Sequence, residues 1–363
     1  MYGQQSLQDF VFLMFYGGTA LLAVVAFLYM MFRRANGIAP TITPPEELRR
    51  WTAAFFLAAA LSHVWWYVLG VHWLTDDRLV RNITAIMLDH ITLVPLVMVM
   101  LLSMLQDRRR PIWPWILAQV PVAVAALVGI NMHSEFYGYQ IVHYCQLAVI
   151  TLFVVYYIYA LIKYNQWLCE NFADLEHKEV WQSLAFAIVL FIFYEVYTTN
   201  AGELVKEYMA QVITIAIIAF LIWRVETLQR LELTDEPDAE QADYGYIGAL
   251  LEKYCENGTL YLQHDLTLQQ LATAIGTNRT YLGAYFAQTG ITYNTYINQL
   301  RVEHFERLYC KALADSRAVT AQKLADQSGF RSYSTFSTAF KKYKGVTVSV
   351  WMDDVQTGMR DTK

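Results

Sequence analysis

An internal repeat occupies the C-terminal third of this 363-residue chain, reading TLQQLATAIGTNRTYLGAYFAQTGIT at residues 267–292 and TAQKLADQSGFRSYSTFSTAFKKYKGVT at residues 320–347. In both copies Leu-Ala is followed, after three intervening residues, by glycine, then by two apolar residues four apart, and then by Gly-x-Thr. The same order of features in two stretches indicates a duplicated structural unit. The repeat therefore predicts two copies of one small fold.

Each copy has the parts of a helix-turn-helix. A threonine hydroxyl can cap the first helix, an alanine lets the second helix approach closely, and a glycine permits the tight turn between them. Two apolar residues four apart then hold the second helix on the core. The residues in these roles are Thr267, Ala272, Gly276, Leu282 and Phe286 in the first copy and Thr320, Ala325, Gly329, Phe336 and Phe340 in the second.

The opposite face of each second helix is left free, and duplex DNA is its expected partner. The candidate DNA-contacting residues are Arg279, Thr280 and Gly283 after the Asn278 cap in the first copy, and Arg331, Tyr333, Ser337, Thr338, Lys341 and Lys342 in the second. Residues 244–363 carry 13 Lys and Arg against 10 Asp and Glu, a mildly basic balance. The low positive charge leaves open the alternative that the domain binds a protein and uses the fold only as a scaffold.

A single helix is predicted between the copies, at residues 293–313, with Ile297, Leu300, Phe305 and Leu308 facing inward. At 1.5 Å per residue it would be roughly 30 Å long, close to one turn of duplex. It would place the two second helices in successive major grooves on one face of the DNA.

Residues 244–352 resemble the DNA-binding domain of AraC/XylS-type transcription regulators. The resemblance rests on Gly329-Phe330, on Phe336-x-x-x-Phe340-Lys341-Lys342 and on the 296–301 stretch that opens the central helix. It implies sequence-specific binding, with the second helix of each unit in the major groove. Val348 stands where the family usually has proline, and residues 283–288 lack the usual basic side chains. Fewer phosphate contacts in the first unit are therefore expected, which predicts either a lower affinity or a dominant second unit.

The first two thirds of the chain are of a different character. Apolar residues make up 56% of the whole sequence, and almost all of the excess lies before Trp223. Seven stretches approach the roughly 20 apolar residues that a membrane-spanning helix needs. They are residues 10–32, 51–70, 83–105, 112–130, 141–163, 180–197 and 208–223. The expected fold is therefore all-α: a seven-helix transmembrane domain (1–230), an acidic linker (231–243) and a double helix-turn-helix domain (244–363).

Basic residues near the ends of these stretches predict the orientation, because Lys and Arg resist translocation. Alternate loops carry 11 of them, among them Arg33, Arg49 and Arg108, whereas the opposite loops carry three, at Arg78, Arg81 and Lys206. The N-terminus is expected outside and the C-terminal domain in the cytoplasm of a bacterium, with the chain crossing its inner membrane several times. The first stretch is expected to be a retained helix, since its basic residues follow it.

Ionisable groups within the spans are costly and mark candidate functional positions. They are His63, Asp89, His90, His143 and Glu195. They could converge on one outward-facing pocket for a small ligand, a proton or a metal, or they could simply form hydrogen bonds between helices. No HxxH or HxxxH pair supports a metal, and no cofactor is expected. The four cysteines form no CxxC pair and are expected to be ordinary thiols.

A stripe of Leu221, Val225, Leu228 and Leu231 continues the helical spacing past the last span and could pair with a second chain, giving a homodimer. The six acidic residues of the linker predict a spacer. The function predicted is a membrane-bound, one-component transcription regulator. A transporter or receptor whose cytoplasmic domain reports occupancy is the alternative, and an enzyme is not expected, because no nucleophile with its base, HExxH or phosphate loop is present.

Overall fold

A computed structural model of the chain describes the backbone of residues 7–33, 35–70, 75–199, 204–231, 244–315 and 317–361. Within these ranges it leaves aside the side chains of residues 7–9, 193–199, 204–207, 244–245 and 358–361. All regular elements in these ranges are helical, and no β-strand occurs among them. The chain divides into two compact units, one of residues 1–164 and 180–231, the other of residues 165–179 and 232–363.

The first unit is built from eight helices in its described residues. They are α1 (Leu7–Phe32), α2 (Glu46–Gly70), α3 (Arg78–Ser103), α4 (Trp113–Leu117), α5 (Val120–Asn131), α6 (Val142–Asn171, entered through the π-helical turn Phe136–Ile141), α7 (Trp181–Thr199) and α8 (Leu204–Thr227). The last turns of α6 belong to the second unit. Prolines at the starts of α4 and α5 divide the predicted fourth span into two helices, since proline has no amide hydrogen to donate.

Six segments are long and apolar enough to cross a membrane, judged by length and composition over the described residues. They correspond to six of the seven predicted spans. The remaining one, predicted at 180–197, is occupied by α7, whose described apolar part, Trp181–Ile192, is shorter than the other six. Many apolar side chains of this unit are exposed, such as Leu152 (67%) and Val189 (64%), as is typical of helices that face lipid. The count of seven spans is not confirmed.

The predicted pairing stripe on α8 is wrong. Leu221, Val225 and Leu228 are at most 1% exposed, so they are covered by their own chain and offer no surface to a second one. The helix also ends at Thr227 instead of continuing, because the following backbone turns and the amide of Arg230 donates to the carbonyl of Thr43 (2.8 Å). Apolar spacing on a helix shows which face is buried but not which surface covers it.

The second unit contains the repeat. Its elements are α9 (Tyr244–Leu251), the π-helical turn Glu252–Glu256, the 3₁₀ turn Leu260–Leu262, α10 (Leu268–Ile275), α11 (Arg279–Thr289), α12 (Tyr293–Ala314), α13 (Ala321–Gln327), α14 (Tyr333–Lys344) and α15 (Val348–Asp361). The unit also takes in residues 165–179, which lie far away in the sequence. The linker predicted at 231–243 lies outside the described residues, apart from Leu231.

Two apolar cores form, one in each half of this unit, and α12 contributes to both. Tyr293 and Ile297 lie in the core of α10 and α11, whereas Val302 and Phe305 lie in the core of α13 and α14. The predicted inward face of the central helix is confirmed: Ile297 and Phe305 are fully buried, and Leu300 and Leu308 pack at the edges of the cores. One rigid helix therefore carries both copies of the repeat.

Candidate nucleic-acid interface

The starts of the repeat helices are capped as predicted. The Thr267 hydroxyl accepts from the amide of Gln270 (3.1 Å), and the Gln270 side chain accepts in return from the Thr267 amide (2.9 Å), forming a capping box. The Thr320 hydroxyl accepts from the amide of Lys323 (3.3 Å) in the second copy. Asn278 caps α11 by accepting from the amide of Tyr281 (2.9 Å). These bonds occupy amides that have no partner inside their helix.

Glycine makes the turn between the two helices of each copy. Gly276 has φ +79° and Gly329 has φ +89°, in the left-handed region that other residues rarely adopt. The second helices then pack on the core through the predicted pairs, since Leu282 and Phe286 are at most 4% exposed and Phe336 and Phe340 are fully buried. Both copies therefore have the helix-turn-helix geometry that the sequence predicts.

The outer face of α14 carries most of the candidate DNA-contacting residues of the second copy. Arg331, Tyr333, Thr338, Lys341 and Lys342 are exposed, and Ser337 is partly exposed. Of the three candidates on α11, Thr280 is exposed, whereas Arg279 and Gly283 are partly buried. The two faces differ as the sequence predicts, with the second copy offering more side chains and more charge.

Lys344 also ends α14, and although it is exposed, it pairs with a side chain of α12. Its ammonium lies 2.7 Å from the Glu306 carboxylate, and the neighbouring Tyr343 hydroxyl donates to the carbonyl of Thr295 (2.5 Å). These contacts attach the last turn of α14 to the central helix. Lys341 and Lys342 are left at the surface, at the helix end where a phosphate contact is expected.

Arg301 joins the two copies from the middle of α12. It is 1% exposed, and its guanidinium donates to the carbonyls of Tyr261 (2.7 Å), Gln263 (2.5 Å) and His264 (3.2 Å). Its charged end also lies 5.7 Å from the ring centre of Phe330 in the second copy. Burial lowers the pKa of Arg301 to about 10, which still leaves the guanidinium charged at neutral pH. The buried charge thus holds the loop before α10 against the turn of the second copy.

Both arginines assigned to DNA already have partners within the unit. The Nε of Arg279 donates to the side-chain oxygen of Asn171 (2.8 Å), and a guanidinium nitrogen of Arg331 lies 3.1 Å from the Asp265 carboxylate. The same carboxylate lies 3.8 Å from the ammonium of Lys178. Asn171 and Lys178 belong to the segment 165–179, so part of the candidate interface is occupied by a distant piece of the chain.

Sequence reasoning did not identify this segment as part of the interface. Asn294 and Asn298 on α12 donate their side-chain amides to its backbone, and both reach the carbonyl of Ala173 (2.7 and 3.2 Å). Two asparagines four residues apart on a helix lie on one face. That spacing is the only signal for a polar docking surface in the sequence, and it says nothing about what docks there.

Comparison with known proteins adds to this geometry. Residues 271–354 match the family model described as a helix-turn-helix domain, a match that runs from α10 into α15 and includes the second helix of each copy. This part of the chain is therefore a DNA-binding helix-turn-helix domain. It is of the AraC type, which agrees with the resemblance seen in the motifs and with a role in transcription regulation through double-stranded DNA. No curated protein and no solved structure matches the chain.

The candidate sensor residues of the first unit line two cavities. A cavity of about 470 Å³ between α1, α2, α3, α7 and α8 is bordered by His63 and Asp89, and a second, of about 560 Å³, by His90 and His143. Trp66 lines both. The side chain of Glu195 lies outside the described residues. The structure therefore brings together two pairs of these groups and not a single set of five.

Asp89 is the centre of a polar cluster in the first cavity. It is 6% exposed and accepts from the Ser62 hydroxyl (2.7 Å) and from the indoles of Trp65 (3.1 Å) and Trp66 (2.8 Å). One ring nitrogen of His63 faces the Ala59 carbonyl (2.8 Å), and the other faces the Gln211 side-chain oxygen (3.0 Å). His90 instead contacts the carbonyl of Ile86 (2.6 Å) on its own helix.

Metal-ligating groups are not gathered anywhere in the part of the chain that the structure describes, where no three of His, Cys, Asp or Glu come close enough to hold an ion. All four cysteines are free. Cys255 lies in the core beside α12, and burial raises the pKa of its thiol to about 12. That thiol stays protonated and unreactive at neutral pH, as expected of a core residue.

Proposed function

We propose that this protein is a membrane-embedded, one-component transcription regulator that binds promoter DNA through both helix-turn-helix units under the control of a signal sensed in the membrane. The observation that carries the proposal is the attachment of two helix-turn-helix units to one rigid helix in a chain that also has six helices apolar enough to span a bilayer. When one chain contains both the DNA-binding domain and the membrane helices, no second protein is needed to carry the signal from the membrane to DNA.

The proposed topology has seven spans, namely the six apolar segments and α7. The N-terminus lies outside, and the DNA-binding domain is cytoplasmic. An apolar helix of 19 residues, such as α7, is about 28 Å long and just spans a hydrocarbon core of about 30 Å. The 11 to 3 distribution of basic residues supports the orientation. The bacterial inner membrane is the proposed location.

The proposed DNA contacts are those assigned from the sequence. In the second copy, Arg331 just before α14 and Tyr333, Ser337 and Thr338 on it would face base edges or sugars, whereas Lys341 and Lys342 would neutralise phosphates. On α11, Arg279, Thr280 and Gly283 would form a smaller contact. The 22 residues of α12 span about 33 Å, so two half-sites one helical turn apart are expected.

Selection of duplexes from a random library by the full-length protein in lipid nanodiscs tests this function. The expected product is one motif with two half-sites about 10 base pairs apart, with stronger base preference in the half read by α14. Lys311→Ala, a change at an exposed residue of α12 that is not among the candidate DNA contacts, serves as the control and should select the same motif. Recovery of random sequence by the wild-type protein at moderate salt would contradict the proposal.

The cavity around Asp89 is the proposed sensor site. Its walls are mostly apolar and aromatic, with Phe12, Tyr16, Phe55 and Tyr67 among them. A carboxylate has about four acceptor positions, and among the described residues three donors contact Asp89, which leaves one position on the oxygen that accepts from Trp66. A carboxylate beside aromatic rings suits a cationic head group, and the apolar walls suit a hydrocarbon body. The proposed ligand is therefore a small amphiphile with an ammonium group.

A homodimer remains part of the proposal. Dimeric regulators bind paired half-sites, one with each chain. Two helix-turn-helix units in one chain reduce the need for a second chain but do not exclude a dimer. The partner surface is not the α8 stripe, which is buried. Exposed apolar residues on the membrane helices offer alternatives, and the mass of the nanodisc-embedded complex would distinguish one chain from two.

A further inference from the structure

The segment 165–179 comprises the last turns of α6 and most of the loop that leads to α7, and it belongs to the same compact unit as the double helix-turn-helix. Its residue Ala173 is fully buried in the same apolar core as Leu271, Leu282 and Ile297 of the first helix-turn-helix. The Ala173 amide donates to the carbonyl of Leu266 (3.4 Å), and Phe172 forms an antiparallel bridge with Thr267. The segment is thus packed into the domain and does not merely pass over its surface.

Polar side chains of α12 hold this segment through its backbone. Asn294 donates to the carbonyls of Phe172 (3.1 Å) and Ala173 (2.7 Å), and Asn298, which is 6% exposed, donates to Ala173 as well. Buried amides need partners, since an unpaired polar group in a core is costly. When the segment leaves, both asparagines lose these acceptors, so the docked arrangement is a defined state.

The docked segment also engages Arg279 at the start of α11, and it reaches the carboxylate that pairs with Arg331 just before α14. Asn171 accepts from Arg279, and Lys178 lies beside the Asp265 carboxylate that pairs with Arg331. Lys178 is only 3% exposed, and burial lowers its pKa, while the nearby Asp174 and Asp265 carboxylates act in the opposite direction. In a helix-turn-helix, the N-terminal residues of the second helix meet base edges, so the segment and DNA would require the same Arg279 side chain.

We propose that residues 165–179 are an intramolecular docking partner that competes with DNA for the first helix-turn-helix and holds the domain in a state of lower DNA affinity. The segment is continuous with α6, which is part of a candidate membrane span. A displacement of α6 therefore moves the segment directly. A movement of α6 can therefore reach α11, the second helix of the first copy, without passing through the acidic linker. The inference rests on the proposed DNA binding.

The test measures the affinity of the full-length protein in nanodiscs for its selected duplex. Asn171→Ala removes the acceptor of Arg279 without changing charge, and the affinity is expected to rise about tenfold, within the usual range of coupling between sites. Asn165→Ala is the matched control, because Asn165 is exposed in the same segment, and it should leave the affinity unchanged. Asp265→Asn is a poorer test, since the loss of a negative charge strengthens DNA binding by itself.

A second measurement uses the unmodified protein and does not depend on how any variant folds. Hydrogen exchange at the amides of residues 172–175 is expected to become at least tenfold faster when a saturating amount of duplex is added, because the segment is displaced. Unchanged or slower exchange, or equal DNA affinity of Asn171→Ala and wild type, would overturn the docking proposal. In either case the wild-type protein still binds its duplex, whereas failure of the proposed function would leave no specific binding to measure.

Discussion

Gly329 lies directly against the backbone of Leu262, so closely that a Cβ atom placed on Gly329 would come within 2.8 Å of the Leu262 Cα and 2.9 Å of its carbonyl oxygen. The glycine belongs to the turn of the second helix-turn-helix, and the leucine belongs to the 3₁₀ turn that precedes the first. The second copy therefore meets the turn that precedes the first copy at a contact that only glycine permits.

Gly329→Ala is expected to destabilise the second copy by about 2–4 kcal/mol, because the new methyl group would meet backbone that cannot move aside and φ +89° is unfavourable for alanine. Gly345→Ala is the matched control: it has φ +73° but no atom within 4 Å of an added Cβ, so a cost of about 1 kcal/mol is expected. Opening free energies from hydrogen exchange in α13 and α14 measure both. Equal costs for the two variants would show that the close approach to Leu262 is unimportant.

Arg301→Lys is expected to destabilise the double helix-turn-helix by about 2–4 kcal/mol. The ammonium of lysine cannot donate to the carbonyls of Tyr261, Gln263 and His264 together, so buried acceptors lose their partners. Arg317→Lys, at a side chain that is 74% exposed, should change stability by less than about 0.5 kcal/mol. Hydrogen exchange across α12 in the full-length protein reports the difference, and a neutral Arg301→Lys would exclude the proposed bridging role.

Replacing Lys341 and Lys342 together by alanine is expected to weaken binding to all duplexes alike. Both lysines are exposed at the end of α14 and are proposed to neutralise phosphates. The slope of log affinity against log salt should fall by about 1.8, since each phosphate contact contributes about 0.9. Binding titrations over a range of salt measure it, with Lys311→Ala as the variant that keeps the slope. A change in the selected motif instead of the slope would mean that these lysines read bases.

Dodecylammonium is expected to bind the nanodisc-embedded protein and raise its midpoint of thermal unfolding, whereas dodecanol, which has no charge, should not. The reason is the Asp89 carboxylate, which borders the first cavity and has one acceptor position left. Asp89→Asn should remove the shift. Glu135→Gln, at a carboxylate that lines the other cavity, is the matched control and should keep it. A shift that persists in Asp89→Asn would place the amine elsewhere, in the bilayer or in the second cavity.

Local features of the sequence predicted the double helix-turn-helix well. The caps at Thr267, Asn278 and Thr320, the turn at Gly276 and the inward face of α12 involve residues within a few positions of one another. Such contacts follow from helical spacing and capping rules, which are short-range. The α8 stripe was predicted wrongly for the same reason: its spacing showed an apolar face but not its partner.

By itself, then, the sequence determined a chain with a strongly apolar part and a duplicated helix-turn-helix of the AraC type. Only the tertiary structure decided that Ala173 completes the core of the first helix-turn-helix, that Asn171 and Asp265 contact Arg279 and Arg331, and that His63 and Asp89 border a different cavity from His90 and His143. The physical reason is distance along the chain. Ala173 and Asn298 are 125 positions apart, and the spacing of residues within a helix carries no information about so distant a contact.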